Sequence, residues 1–209
     1  MNLLTIFIIS FVVALSGALV PGPLLAAVIY KSAQHGVKTG PLIILGHAIL
    51  EIIMVAVIVL GFSRFVANDT VLKIISFSGA VILLYFGIKM FCSLPGVSLD
   101  YTGQQTRSGN LAVTGMVLSL ANPYWTIWWL TIGLGLVLGA KKAGMAGITA
   151  FFTGHILADL GWYSLVAFVI SKGRHFISLK VYKWIIALCA VMLIGFGVWL
   201  GITSLLAKK

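Results

Sequence analysis

The sequence predicts an all-α membrane protein: a six-transmembrane-helix bundle made of two inverted three-helix repeats, with helices 1 and 4 broken. Three observations carry that prediction. Of the 209 residues, 61% are hydrophobic and only 9% are charged, against about 45–50% and about 25% in a soluble domain. The apolar residues fall into six stretches, each able to cross a hydrocarbon core about 30 Å thick, which takes about 20 residues of helix. The polar residues inside these stretches follow a pattern that occurs twice.

In order, the predicted helices run over 3–30, 41–62, 74–92, 111–139, 145–171 and 184–206. They form a single transmembrane domain, 1–209, with repeat one at about 1–92, a polar loop at 93–110 and repeat two at about 111–209. The first helix has no Lys or Arg ahead of its apolar stretch. It therefore lacks the basic region of a cleaved signal peptide and is expected to be retained. Pro21 and Pro23 have no amide hydrogen and their rings clash with the preceding turn, while Gly22 removes the steric wall, so the helix should break there. The second helix carries Gly46-His47-x-x-x-Glu51, which recurs in the fifth as Gly154-His155-x-x-x-Asp159 at an offset of 108. In the third, Ala80-Val-Ile-Leu-Leu and Phe86-Gly87 answer Ala190-Val-Met-Leu-Ile and Phe196-Gly197 of the sixth, at an offset of 110. The fourth has Asn122-Pro123 where the first has its proline break, at an offset of about 100, which requires about eight extra residues between the first two helices of repeat two. Each half holds an odd number of helices, so the second half starts from the opposite membrane face as an inverted repeat, an organisation that suggests a single transmembrane transporter domain.

The net charge of +10 comes from fourteen Lys and Arg residues spread singly or in pairs between the apolar runs. They read as topology charges reaching the headgroups, and no nucleic-acid partner is expected. Eight basic residues on one face against six on the other lean toward both termini outside. Cys92 and Cys189 form no CxxC and report no redox compartment.

Of only four acids, Glu51 and Asp159 lie at the middle of apolar helices. An ionised side chain there costs roughly 2.5–3.5 kcal/mol on insertion scales, so a matched pair asks for a function. Each acid could hold a proton and release it when a cation or water arrives; the structural alternative is a protonated acid acting as hydrogen-bonding glue between helices. His47 and His155 precede their acids by four residues and so share a helical face with them. They suit a proton relay or, with the acids, a metal site of two imidazoles and two carboxylates; the bland reading is packing. Carbonyls and amides freed at the two breaks need partners inside the membrane, which a substrate can supply, and a new helix start suits an anionic group. Pro21, Gly22, Pro23, Asn122 and Pro123 are thus candidate substrate-binding residues, the alternative being a simple kink. Tyr124, Trp125, Trp128 and Trp129 read as an interfacial aromatic belt or lipid-facing surface. Trp162 and Tyr163 share the face of Asp159 and could wall a site or hold an ammonium group.

The set Ala18-Leu19-Val20-Pro21-Gly22-Pro23, then Gly46, then Ala121-Asn122-Pro123 resembles the LysE/RhtB-type amino-acid exporters over essentially the whole chain. The resemblance implies proton-driven export of amino acids or related small metabolites across the cytoplasmic (inner) membrane, by a multi-pass protein without ATP or other cofactor. Many members of that family carry an acid directly after the glycine of the second helix, whereas here Gly46 is followed by His47 and the acid comes at Glu51. The wider superfamily includes divalent-metal exporters and thiol–disulfide carriers. A metal cargo held by His47, Glu51, His155 and Asp159 is the alternative reading, and a disulfide carrier is set aside because no cysteine adjoins either break in the sequence. An enzyme is not expected, since neither HExxH nor GxSxG occurs. The expected partners are a small-molecule substrate, protons and the lipid bilayer, and two protomers could pair as a homodimer.

Overall fold

A computed structural model of the chain describes residues 1–20, 22–61, 69–96, 109–173 and 178–206. Pro21 lies outside the described residues, as do Arg64, Asp100, Arg107, Arg174, Lys208 and Lys209 of the charge count. Helices α1 (Leu3–Ala18), α2 (Pro23–His35), α3 (Thr39–Val59) and α4 (Asp69–Cys92) make up the first half. The second half holds α5 (Leu111–Leu120), α6 (Pro123–Trp128), a π-helical turn at Trp129–Gly133, α7 (Leu134–Lys141), α8 (Gly144–Gly173) and α9 (Leu179–Leu206). No strand occurs among the described residues.

The expected first helix ends at Ala18 and resumes at Pro23, its two arms bent by 74°; the arms around Asn122 are bent by 68°. The second arm continues to His35, five residues past the expected end, and α9 starts at Leu179, five residues before Trp184. Both extensions carry basic side chains, Lys31 in the one and Lys180 and Lys183 in the other, that suit a helix end at the headgroups. Asn2 caps α1, its Oδ1 accepting from the Thr5 amide at 2.8 Å. Asn110 caps α5 in the same way, from the Ala112 amide at 3.0 Å, and stands 108 positions later, the offset of the Gly-His pairs. Counted from these caps, the second break comes about two turns sooner than the first: α1 has 16 residues and α5 has 10. A longer second arm, α6 to α7, makes up the difference.

Packing is reciprocal between the halves. A Cβ on Gly87 would meet Ile194 Cγ1 at 2.8 Å, and one on Gly197 would meet Leu84 Cγ at 2.8 Å, positions related by the 110-residue offset. Because Gly87 faces Ala190 and Ile194 while Gly197 and Gly201 face Ala80, α4 and α9 run antiparallel. Likewise His47 faces Asp159 and, one turn on, Glu51 faces His155, so α3 and α8 run antiparallel. Gly46 lets the Ala112 carbonyl of α5 lie against α3, and Gly154 does the same for the Phe7 carbonyl of α1 against α8.

The usual distribution of polarity is reversed. His47, Glu51, His155 and Asp159 are buried, while Ile49, Ile52, Ile53, Phe168 and Trp199 face outward. A surface so apolar around a polar centre is stable only with hydrocarbon as its solvent. Helices α3, α8 and α9 are long and apolar enough to cross a membrane, and each bent pair adds one more candidate span, giving three to five. In α4 the apolar segment Ser76–Cys92 is shorter.

Candidate functional site

The site forms where α3 and α8 cross. Spacing of four puts His47 above Glu51 and His155 above Asp159, and the antiparallel packing then interleaves the pairs. His47 Nε2 lies 3.0 Å from Glu51 Oε1 and 3.4 Å from Asp159 Oδ2. His155 Nε2 lies 3.1 Å from Glu51 Oε1 and 3.6 Å from Asp159 Oδ2. The four side chains thus close a ring in which imidazole and carboxylate alternate.

Helix α5 orients one corner of that ring. The single hydroxyl proton of Ser119 is donated to the Gly115 carbonyl at 2.8 Å. The Ser119 oxygen, 2.6 Å from His47 Nδ1, therefore accepts from the imidazole N–H. With Nδ1 protonated, His47 Nε2 and Glu51 Oε1 are two acceptors at contact distance unless a proton lies between them.

The second arm of the broken helix supplies the rest. Glu51 Oε1 accepts from the indole N–H of Trp129 at 3.2 Å and of Trp125 at 3.4 Å. Trp125, Trp128 and Trp129 are all buried, which corrects the expectation of an interfacial belt. In an ordinary α-helix, neighbours such as Trp128 and Trp129 point about 100° apart. Here the π-helical turn begins at Trp129, and both indoles fold inward against Gly133, where a Cβ would come within 2.8 Å of Trp129 and 2.9 Å of Trp128. Trp128, Trp129 and Phe151 surround the His155 ring with centroids at 5.0, 5.4 and 5.9 Å. His155 Nδ1 and Glu51 Oε2 are buried with no hydrogen-bond partner among the described residues.

The ring opens onto a cavity of about 80 Å³ lined further by Ala14, Gly17, Ala18, Ser119, Asn122 and Tyr163. That volume suits a few waters or the polar head of a small solute rather than a drug-sized ligand. Asn122 and Tyr163, both expected from sequence, line this cavity. Gly22 and Pro23 line a smaller apolar one of about 20 Å³ beside Cys189, Leu193 and Phe196, so a cysteine does adjoin the first break in space. The two breaks approach each other, since a Cβ on Gly22 would stand 4.0 Å from Asn122 Nδ2. Asn122 Oδ1 accepts from the Tyr124 amide at 3.1 Å, capping its own helix, with Pro123 at the first helical position. Trp162 is absent from the cavity lining; it packs against the core cluster around Val28 and Ile43, with its Nε1 buried and without a hydrogen-bond partner among the described residues.

Sequence reasoning missed Ser119, Trp125 and Trp129 as members of the site. A usable signal existed for the tryptophans: three indoles within five residues directly after a proline break, followed by Gly133.

The LysE type translocator family matches residues 15–204. The chain is 25% identical to "Putative amino acid efflux protein YcgF" of Bacillus subtilis (strain 168), over 95% of this chain and 96% of that protein. It is also 25% identical to "Uncharacterized membrane protein YrhP" of the same organism, over 88% of this chain and 93% of the relative. No solved structure matches it. With a ring of paired imidazoles and carboxylates inside an apolar helical bundle, and a family match spanning nearly all of its length, the chain belongs to the LysE type translocator family, a family of membrane transporters.

Proposed function

We propose that the protein is a secondary active exporter of amino acids or related small metabolites across the cytoplasmic membrane, coupled to protons through Glu51, Asp159, His47 and His155. The observation that carries this is the ring of four, with His47 Nε2 3.0 Å from Glu51 Oε1 and His155 Nε2 3.1 Å from the same oxygen. Protons shared between such groups can be exchanged for a cationic group without leaving a bare charge in hydrocarbon. The efflux name of a relative aligned over nearly its whole length supports an amino acid as cargo. The antiparallel pairs α3–α8 and α4–α9, the repeated asparagine caps and the reciprocal glycine contacts support two inverted repeats that rock about the site. In this reading, Asn122 and the helix starts at Pro23 and Pro123 receive the carboxylate and other polar atoms of the solute. Proton entry at the ring then releases the solute outward. Pairing of protomers as a homodimer completes the reading, and native mass spectrometry from detergent checks it.

The test is counterflow and pH-gradient-driven uptake in proteoliposomes. Glu51→Gln or Asp159→Asn should abolish the pH-driven component. Normal transport by both variants under a pH gradient refutes coupling through the carboxylates.

A second reading rests on one observation: His47, Glu51 and Asp159 offer ligand atoms within 4.8 Å of one another, as a divalent metal cargo requires. Metal in near-equimolar amount after purification without a polyhistidine tag, lost in His47→Ala, favours it. Stabilisation by an amino acid in metal-free protein favours the first.

A further inference from the structure

The two His-acid pairs repeat in sequence, but their surroundings do not. Glu51 Oε1 faces four nitrogens: His47 Nε2 at 3.0 Å, His155 Nε2 at 3.1 Å, Trp129 Nε1 at 3.2 Å and Trp125 Nε1 at 3.4 Å. Indole N–H groups donate and never accept, so two of these contacts persist whatever the protonation of the imidazoles. Glu51 lines the cavity as Asp159 does, but an oxygen so engaged is crowded against a solute, and Glu51 Oε2 is buried. Among the described residues, Asp159 Oδ2 has only the two imidazoles, at 3.4 and 3.6 Å. From α1, the helix that corresponds to α5, the cavity receives Ala14, Gly17 and Ala18, none of which has a side-chain donor. The origin of the difference lies in the chain: the second break comes about two turns sooner, and the arm after it brings in two tryptophans for which the arm after Pro23 has no counterpart.

We infer that the two acids divide the work: Glu51 is a fixed anchor held by the positioning residues Trp125 and Trp129, and Asp159 is the carboxylate that receives the ammonium group of the transported solute. This rests on the amino-acid reading above. A solute ammonium at Asp159 shares the cavity with Tyr163 and Asn122 and with Ala14, Gly17 and Ala18 of α1. The same crowding makes Glu51 Oε1 a poor metal ligand, because a cation would have to displace two indole donors from that oxygen.

The experiment measures thermal stabilisation of the purified protein by a panel of free amino acids and by the same compounds N-acetylated. A free amino acid should stabilise the protein and its N-acetyl form should not. Asp159→Asn should weaken that response by about tenfold or more, the size expected for losing one charge-assisted hydrogen bond. Asp159→Glu should restore it in part, and Glu51→Gln should weaken it less than Asp159→Asn does. In proteoliposomes, Trp125→Phe and Trp129→Phe should lower turnover several-fold with KM nearly unchanged. A response kept by Asp159→Asn and lost by Glu51→Gln overturns the division of labour while leaving the amino-acid reading standing. A tenfold rise in KM at unchanged turnover in either tryptophan variant also overturns it, because the indole then touches the solute. If no free amino acid stabilises the unsubstituted protein, the amino-acid reading and this assignment fall together. Should Asp159→Asn not fold, labelling of the unsubstituted protein by a hydrophobic carbodiimide decides: modification at Asp159 that a free amino acid blocks supports the assignment, and any other pattern overturns it.

Discussion

Replacing Ser119 by Ala removes one oxygen and two hydrogen bonds, and the structure separates their costs. The bond to the Gly115 carbonyl, 2.8 Å, goes to a helical carbonyl four residues back, and losing it is close to neutral. The bond from His47 Nδ1, 2.6 Å, is another matter, since His47 is only 6% exposed. A buried donor left without a partner costs about 1–3 kcal/mol. The imidazole can escape that cost by moving its proton to Nε2, toward Glu51 and Asp159, but its contact with Glu51 is then rearranged. The expectation is a loss of about 1–3 kcal/mol in unfolding free energy in mixed micelles, together with a changed tautomer of His47 in ¹⁵N NMR of histidine-labelled protein. Ser119→Thr, which keeps the hydroxyl, should restore both. Stability within about 0.3 kcal/mol of the unsubstituted protein with an unchanged His47 spectrum would refute the assignment of Ser119 as acceptor.

Gly46→Ala and Gly154→Ala should each destabilise by about 1–3 kcal/mol in the same unfolding assay, because the new methyl meets a backbone carbonyl, of Ala112 or of Phe7, that cannot swing aside. Gly135→Ala, where a Cβ would meet nothing within 4 Å among the described residues, is the control and should be neutral or stabilising by up to about 1 kcal/mol. Asn122→Ala should cost about 1 kcal/mol through the lost cap on the Tyr124 amide, and Asn122→Asp should recover it; equal losses in both variants would show that the Nδ2 side of Asn122 matters instead.

What the sequence determined by itself is what depends on near neighbours in the chain. Hydropathy marked where helices lie, prolines marked where two of them break, and four-residue spacing put each histidine on the face of its acid, because all of these follow from the local geometry of a helix. The tertiary structure decided what faces what across helices. In a soluble helix the apolar stripe tells which side is buried, but hydrocarbon is as apolar as a protein core, so a membrane helix is apolar all round and its sequence does not say which way Trp125 or Trp129 turns. Only the crossing of α3 with α8, and the early break that swings α6 against Glu51, bring the indoles and Ser119 to the ring, set Trp162 apart from the cavity, and give two matched acids unequal surroundings.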